Sequence, residues 1–117
     1  MTDPGRIGRS EYIKSLEATI QQEAQVMEDA IRNQDSERFA LGEEDWRLAQ
    51  IEWLQVARGM SLEKAVAVMV GLTMGELTRW MVEQRPGPPP SVLSLYDGPI
   101  SDEEFGKMKS LGKGKQV

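Results

Sequence analysis

Apolar residues between positions 11 and 32 fall at Ile13, Leu16, Ile20, Met27 and Ile31, with Ala24 and Ala30 close by. Steps of three and four place them on one stripe of an α-helix. The spacing predicts a helix over about Glu11 to Arg32, with Ser10 as N-cap and Glu11 beside the positive end of the helix dipole. Glu23 interrupts the stripe. An amphipathic helix in region 10–34 needs a partner surface. It either packs on the rest of the chain or pairs with a second copy as a short coiled coil, which gives a homodimer through Ile13, Leu16, Ile20 and Met27.

A polar joint, "NQDSERFALGEED", follows. It reads as a loop in which Phe39 and Leu41 tuck against the core and Gly42 with the acidic "EED" leads into the next helix. That second helix spans about Glu44 to Arg58. Trp46, Ala49, Trp53 and Val56 or Ala57 share one face, and Leu48, Ile51 and Leu54 widen the apolar arc. A helix apolar over so much of its circumference is the expected centre of the core. Tryptophans also build ligand pockets, but at helical spacing their first role is core packing.

The stretch "GMSLEKAVAVMVGLTMGELTRW", Gly59 to Trp80, is punctuated twice. Gly59 is suited to end the second helix in the left-handed conformation. Ser61 caps a third helix, "LEKAVAVMV", which is expected to stop at Gly71. Thr73 with Glu76 has the spacing of a capping box for a fourth helix, and Leu72 with Leu77 that of a hydrophobic staple. Counted from Gly71, a small residue stands four before (Ala67) and apolar residues stand five and one before (Val66, Val70). Apolar residues also stand one, six and nine after it (Leu72, Leu77, Trp80).

In these positions the stretch resembles the helix-turn-helix DNA-binding superfamily, in its generic tri-helical form, over about residues 43–83 of a domain expected to span 43–84, with the Trp46-bearing helix as the third member. The resemblance implies that the fourth helix enters the major groove. Its exposed positions would then be Thr73, Met74, Gly75, Glu76, Thr78 and Arg79. Arg79 and Thr78 are the expected readers, Thr73 lies at the helix start, and Lys64 and Arg85 approach the backbone. The set departs from a strong reader, because Met74 and Gly75 offer no hydrogen bonds and Glu76 is engaged in its cap. Residues 40–86 hold five basic and seven acidic side chains, a net charge of -2, where DNA-binding modules usually carry a basic footprint.

Beyond Gln84 the chain changes character. Pro86 to Pro90 end the helix and form a stiff extended linker, with a proline-ligand motif as the other reading. Val92, Leu93, Leu95 and Tyr96 either fold back on the helices or form a linear motif for a partner. Ser101 with Glu104 repeats the capping pattern ahead of a short amphipathic helix bearing Phe105, Met108 and Leu111. Leu95, Tyr96, Phe105, Met108 and Leu111 are the candidate partner-binding residues. Region 85–117 is thus a proline-rich linker plus tail, and residues 1–9 are expected to be disordered.

Composition narrows the chemistry. The 117 residues suit one small all-α domain with tails, and they carry 14 basic and 19 acidic side chains, a net charge of -5. That balance opposes loose adhesion to nucleic acid or anionic membrane. Cysteine and histidine are both absent, which removes disulfides, thiolate chemistry, the usual zinc ligands and the commonest general base. No enzyme, metal or cofactor is expected. No apolar run approaches a bilayer span, and the N-terminus lacks a signal-peptide core, so a cytoplasmic location is expected. Two functions follow: a DNA-associated regulator of helix-turn-helix type, or an acidic helical adaptor or inhibitor that binds another protein through the same surface and the tail.

Overall fold

The computed structural model describes the backbone of residues 8–114 and the side chains of residues 8–108. Among them the fold is all-α: α1 (Arg9–Arg32), α2 (Ser36–Arg58), α3 (Leu62–Val82), α4 (Val92–Leu95) and α5 (Asp102–Gly114). Most of the segment expected to be disordered, residues 1–7, lies outside the described residues, as do the side chain of Leu111 and the last three residues.

α1 and α2 form a long hairpin. Tyr12 hydrogen-bonds Glu52, Trp53 Nε1 donates to Glu17 at 3.0 Å, and Gly42 meets Val26 and Met27. From the Glu17–Trp53 contact to the Val26–Gly42 contact one number rises as the other falls, so the helices run antiparallel. Ile13, Leu16, Ile20, Ala24, Met27 and Ala30 are buried in this contact. The stripe is therefore α1's seam with its own chain, and Ile13, Leu16, Ile20 and Met27 are not available to a coiled-coil partner.

The predicted polar joint is not a loop, since α2 begins eight residues earlier than expected, at Ser36 rather than Glu44. The N-cap is Asp35, whose carboxylate accepts from Arg38 N at 3.1 Å. Gln34 at φ 56° turns the chain, with Asp35 N donating to Ala30 O at 2.8 Å and Gln34 N to Ile31 O at 3.2 Å. This is a helix-ending Schellman arrangement built on a non-glycine residue. Gly42 lies buried inside α2, where a Cβ would stand 3.1 Å from Val26 Cγ1. Its helix-breaking tendency costs about 1 kcal/mol, offset here by close approach of two helices. Phe39 is half-buried against the core, while Leu41 and Leu48 face outward.

The end of α2 follows the expected chemistry. Gly59 at φ 69° makes the left-handed cap, and Ser61 Oγ accepts from Lys64 N at 3.2 Å to start α3.

The tail folds back on the hairpin. The buried Gln50 side chain donates to Trp46 O at 3.1 Å and accepts from Val92 N at 2.9 Å, pinning the fully buried Val92. Pro89 is buried too, and Pro88 to Pro90 border Ile20, Gln21, Ala24 and Gln25 of α1, so the proline run is packed rather than a free spacer. Further along, Ile100 N donates to Ala57 O at 2.7 Å. Arg9 closes the assembly by donating to the carbonyls of Val56 (2.9 Å), Ala57 (3.2 Å) and Ile100 (3.0 Å) and to the Asp102 carboxylate at 2.7 Å. Its guanidinium also covers the Phe105 ring, 4.3 Å from the centroid.

Two outcomes are expected. Gln50→Leu leaves the buried Val92 N–H without its acceptor and should lower unfolding free energy by about 1–3 kcal/mol in urea titrations. Glu23, half-buried on α1, has its pKa raised by burial and by the nearby Asp45 carboxylate. The charged form is therefore disfavoured in the fold, and stability is lost as pH rises from the ordinary glutamate range through the raised value. Glu23→Gln should accordingly raise the melting temperature at neutral pH, with the gain vanishing below about pH 4.

Candidate docking surface on the third helix

α3 differs most from expectation. The chain does not turn at Gly71 but stays helical from Leu62 to Val82, and Thr73, expected as a cap, has helical angles of φ -65° and ψ -47°. The Thr73 hydroxyl is buried without a partner, so the predicted capping box is not formed. Residues Thr73–Leu77 instead form one π-helical turn.

The reason lies in the spacing of apolar residues. α3 buries Ala65, Met69, Leu72, Leu77 and Trp80. The steps are four, three, five and three, and only the step of five departs from an α-helical stripe. A regular α-helix would carry Glu76, four after Leu72, onto the buried face. One extra residue in the π turn brings Leu77 there instead and leaves Glu76 toward solvent. The widened turn needs side-chain support, which Thr78 gives by donating its hydroxyl to Thr73 O at 2.8 Å.

The expected DNA contacts are therefore not assembled. Thr73 is half-buried, and Thr78 is engaged with the backbone of its own helix. Glu76 lies between two cations, 3.9 Å from Arg79 and 3.9 Å from Arg85, and Arg85 Nε also donates to Glu83 at 2.6 Å. Lys64 stands at the opposite end of α3. Arg47 pairs with Glu43 at 2.9 Å, and Arg58 is drawn to the Tyr96 ring and Gly98 O. Basic charge does not collect around this helix.

What collects there is apolar surface. Leu62, Val66, Val70, Met74 and Val82 are exposed at intervals of four, with Thr78 filling the remaining step. Met74 is 75% exposed and Val82 76%, the two highest values among the large apolar side chains described. Ala65 to Gly75 is an eleven-residue run without charge. Uninterrupted by the predicted turn, α3 is long and apolar enough to cross a membrane by length and composition, although one face is packed against α2. Sequence inspection misses this ridge because it divides the helix at Gly71.

The other candidate partner residues are scattered. Leu95 is exposed, but Tyr96 packs on Trp53 at 6.4 Å between ring centroids and beneath Arg58. Phe105 lies under Arg9, and Met108 approaches Gly59. Tyr96, Phe105 and Met108 bind the tail to its own core rather than forming one free motif with Leu95.

No family model, curated protein or solved structure matches the chain.

The role given to Thr78 has a direct check. Thr78→Val keeps the shape but removes the donor to Thr73 O, and should cost about 0.5–1.5 kcal/mol in chemical unfolding.

Proposed function

We propose that this chain is a non-enzymatic helical adaptor that works by docking a protein on the exposed face of α3. The observation carrying this reading is the ridge of Leu62, Val66, Val70, Met74 and Val82, all exposed among the described residues, from 40% at Val66 to 76% at Val82. Exposed apolar surface that is rimmed by polar residues is a signature of interaction sites. A helix face with anchors every fourth residue suits helix-to-helix or helix-in-groove docking. The absence of histidine and cysteine agrees with a role outside catalysis.

Charge favours protein over DNA as the ligand. The overall charge is -5, and Arg79 and Arg85 are both opposed by Glu76. An affinity built on phosphate neutralisation has little to draw on at this face.

A photoreactive benzoylphenylalanine at position 70, in extract of the source cells, should give protein adducts that excess native chain competes away and Val70→Glu does not. The same probe in place of the exposed Ala18 on α1 is the control and should give none of them. Randomised duplex DNA at low salt should show no saturable rise in fluorescence anisotropy. Saturable binding that is lost in Arg79→Ala, with no competed adduct at position 70, would overturn the adaptor reading in favour of a DNA regulator.

A further inference from the structure

Resting on the docking reading above, we infer that the occupant of the α3 face is a second copy of this chain, packed antiparallel. Beside the apolar ridge runs a second line of positions at intervals of four: Glu63, Ala67, Gly71, Gly75 and Arg79. Its ends carry opposite charges and its middle carries none.

That order is self-complementary. Laid against itself with Gly71 at the two-fold centre, the line sets Glu63 against the partner copy's Arg79, Ala67 against Gly75 and Gly71 against Gly71. Both ends gain an opposite-charge pair, and symmetry makes two such pairs per dimer. A parallel arrangement would instead set Glu63 against Glu63 and Arg79 against Arg79. Sixteen residues separate the two charges, about 24 Å of helix, so near-antiparallel alignment brings both pairs into reach together.

The charged ends are exposed enough to take part. Glu63 makes no ion pair among the described residues, and Arg79 has only the 3.9 Å contact with Glu76 and a side chain 66% exposed. The centre admits a close neighbour, since nothing lies within 4 Å of where a Cβ would stand on Gly71 or Gly75. Two mid-helix glycines weaken a helix, and contacts inside this chain do not require them. Close approach of a second backbone does.

A second copy also accounts for the charge distribution better than a membrane does. Each copy carries -5, but the stretch from Ala65 to Gly75 that forms the contact is neutral. An anionic bilayer would repel the chain as a whole, whereas the dimer keeps the like charges away from its seam.

Sedimentation equilibrium on the full chain across the micromolar range tests this. The native protein should have a dimer's mass at the upper end, and Val70→Glu or Met74→Glu should be monomeric with unchanged helical circular dichroism. Glu63→Arg and Arg79→Glu should each weaken self-association by roughly fivefold to tenfold, and the double reversal should restore it. A native monomer at every concentration overturns the second copy. If position 70 still gives competed adducts to a different protein, the docking reading survives that result, and if it gives none, both fall. Flotation of the monomer with phosphatidylcholine vesicles would assign the ridge to a lipid surface instead and also overturn the dimer. A dimer that resists both single reversals yet is lost in Val70→Glu overturns the antiparallel arrangement.

Discussion

Leu72 and Leu77 are five residues apart, and both must be buried on the same side of one helix. No regular α-helix meets that requirement, because a step of five rotates the second side chain well away from the first. The π turn at Thr73–Leu77 meets it by adding one residue to a single turn. Leu77 and Trp80 then join Ala65, Met69 and Leu72 in the core, Glu76 remains in water beside Arg79 and Arg85, and α3 runs unbroken to Val82. The exposed ridge owes its length to this local insertion.

The rest of the fold anchors α3 and the tail to a two-helix base. Gln50 is the only fully buried polar residue among the described residues, and it is placed to hold Val92 through one backbone bond. Arg9 gathers the part-buried carbonyls at the end of α2 together with the tail, where its charge suits the negative end of the helix dipole. Trp80 ties the end of α3 to the proline segment by donating to Gly87 O at 3.0 Å. Leu41, Leu48 and Leu95 are exposed as well, but on other elements, whereas the α3 ridge gathers five exposed apolar side chains on one helix.

Much of this is legible in the sequence, although α1 begins at Arg9 behind Gly8 and the expected Ser10 cap is not formed, and two of the failures share one cause. The α1 stripe, the Gly59 cap, and the Ser61 and Ser101 caps follow from local spacing and local hydrogen bonding, and they occur as expected. Gly42 and Gly71 both carry the local signature of a helix break, yet both lie inside helices. At Gly42 the deciding contact is with Val26, sixteen positions back along the chain, which local pattern does not reveal. At Gly71 and Thr73 the signals of a helix end are real irregularities, but a π turn absorbs them without changing the direction of the chain. The candidate contacts at Thr73 and Thr78 depend on a break there, and Thr78 is instead a support of the helix itself.

Continuity of α3 is the claim on which the docking surface rests, and backbone NMR across Gly71 to Thr78 tests it most directly. A continuous helix predicts helical carbon shifts and unbroken sequential amide contacts through Thr73, with slow hydrogen exchange continuing to Trp80. Extended or left-handed shifts at Gly71 to Thr73, with amide contacts interrupted there, would contradict it and divide the ridge in two.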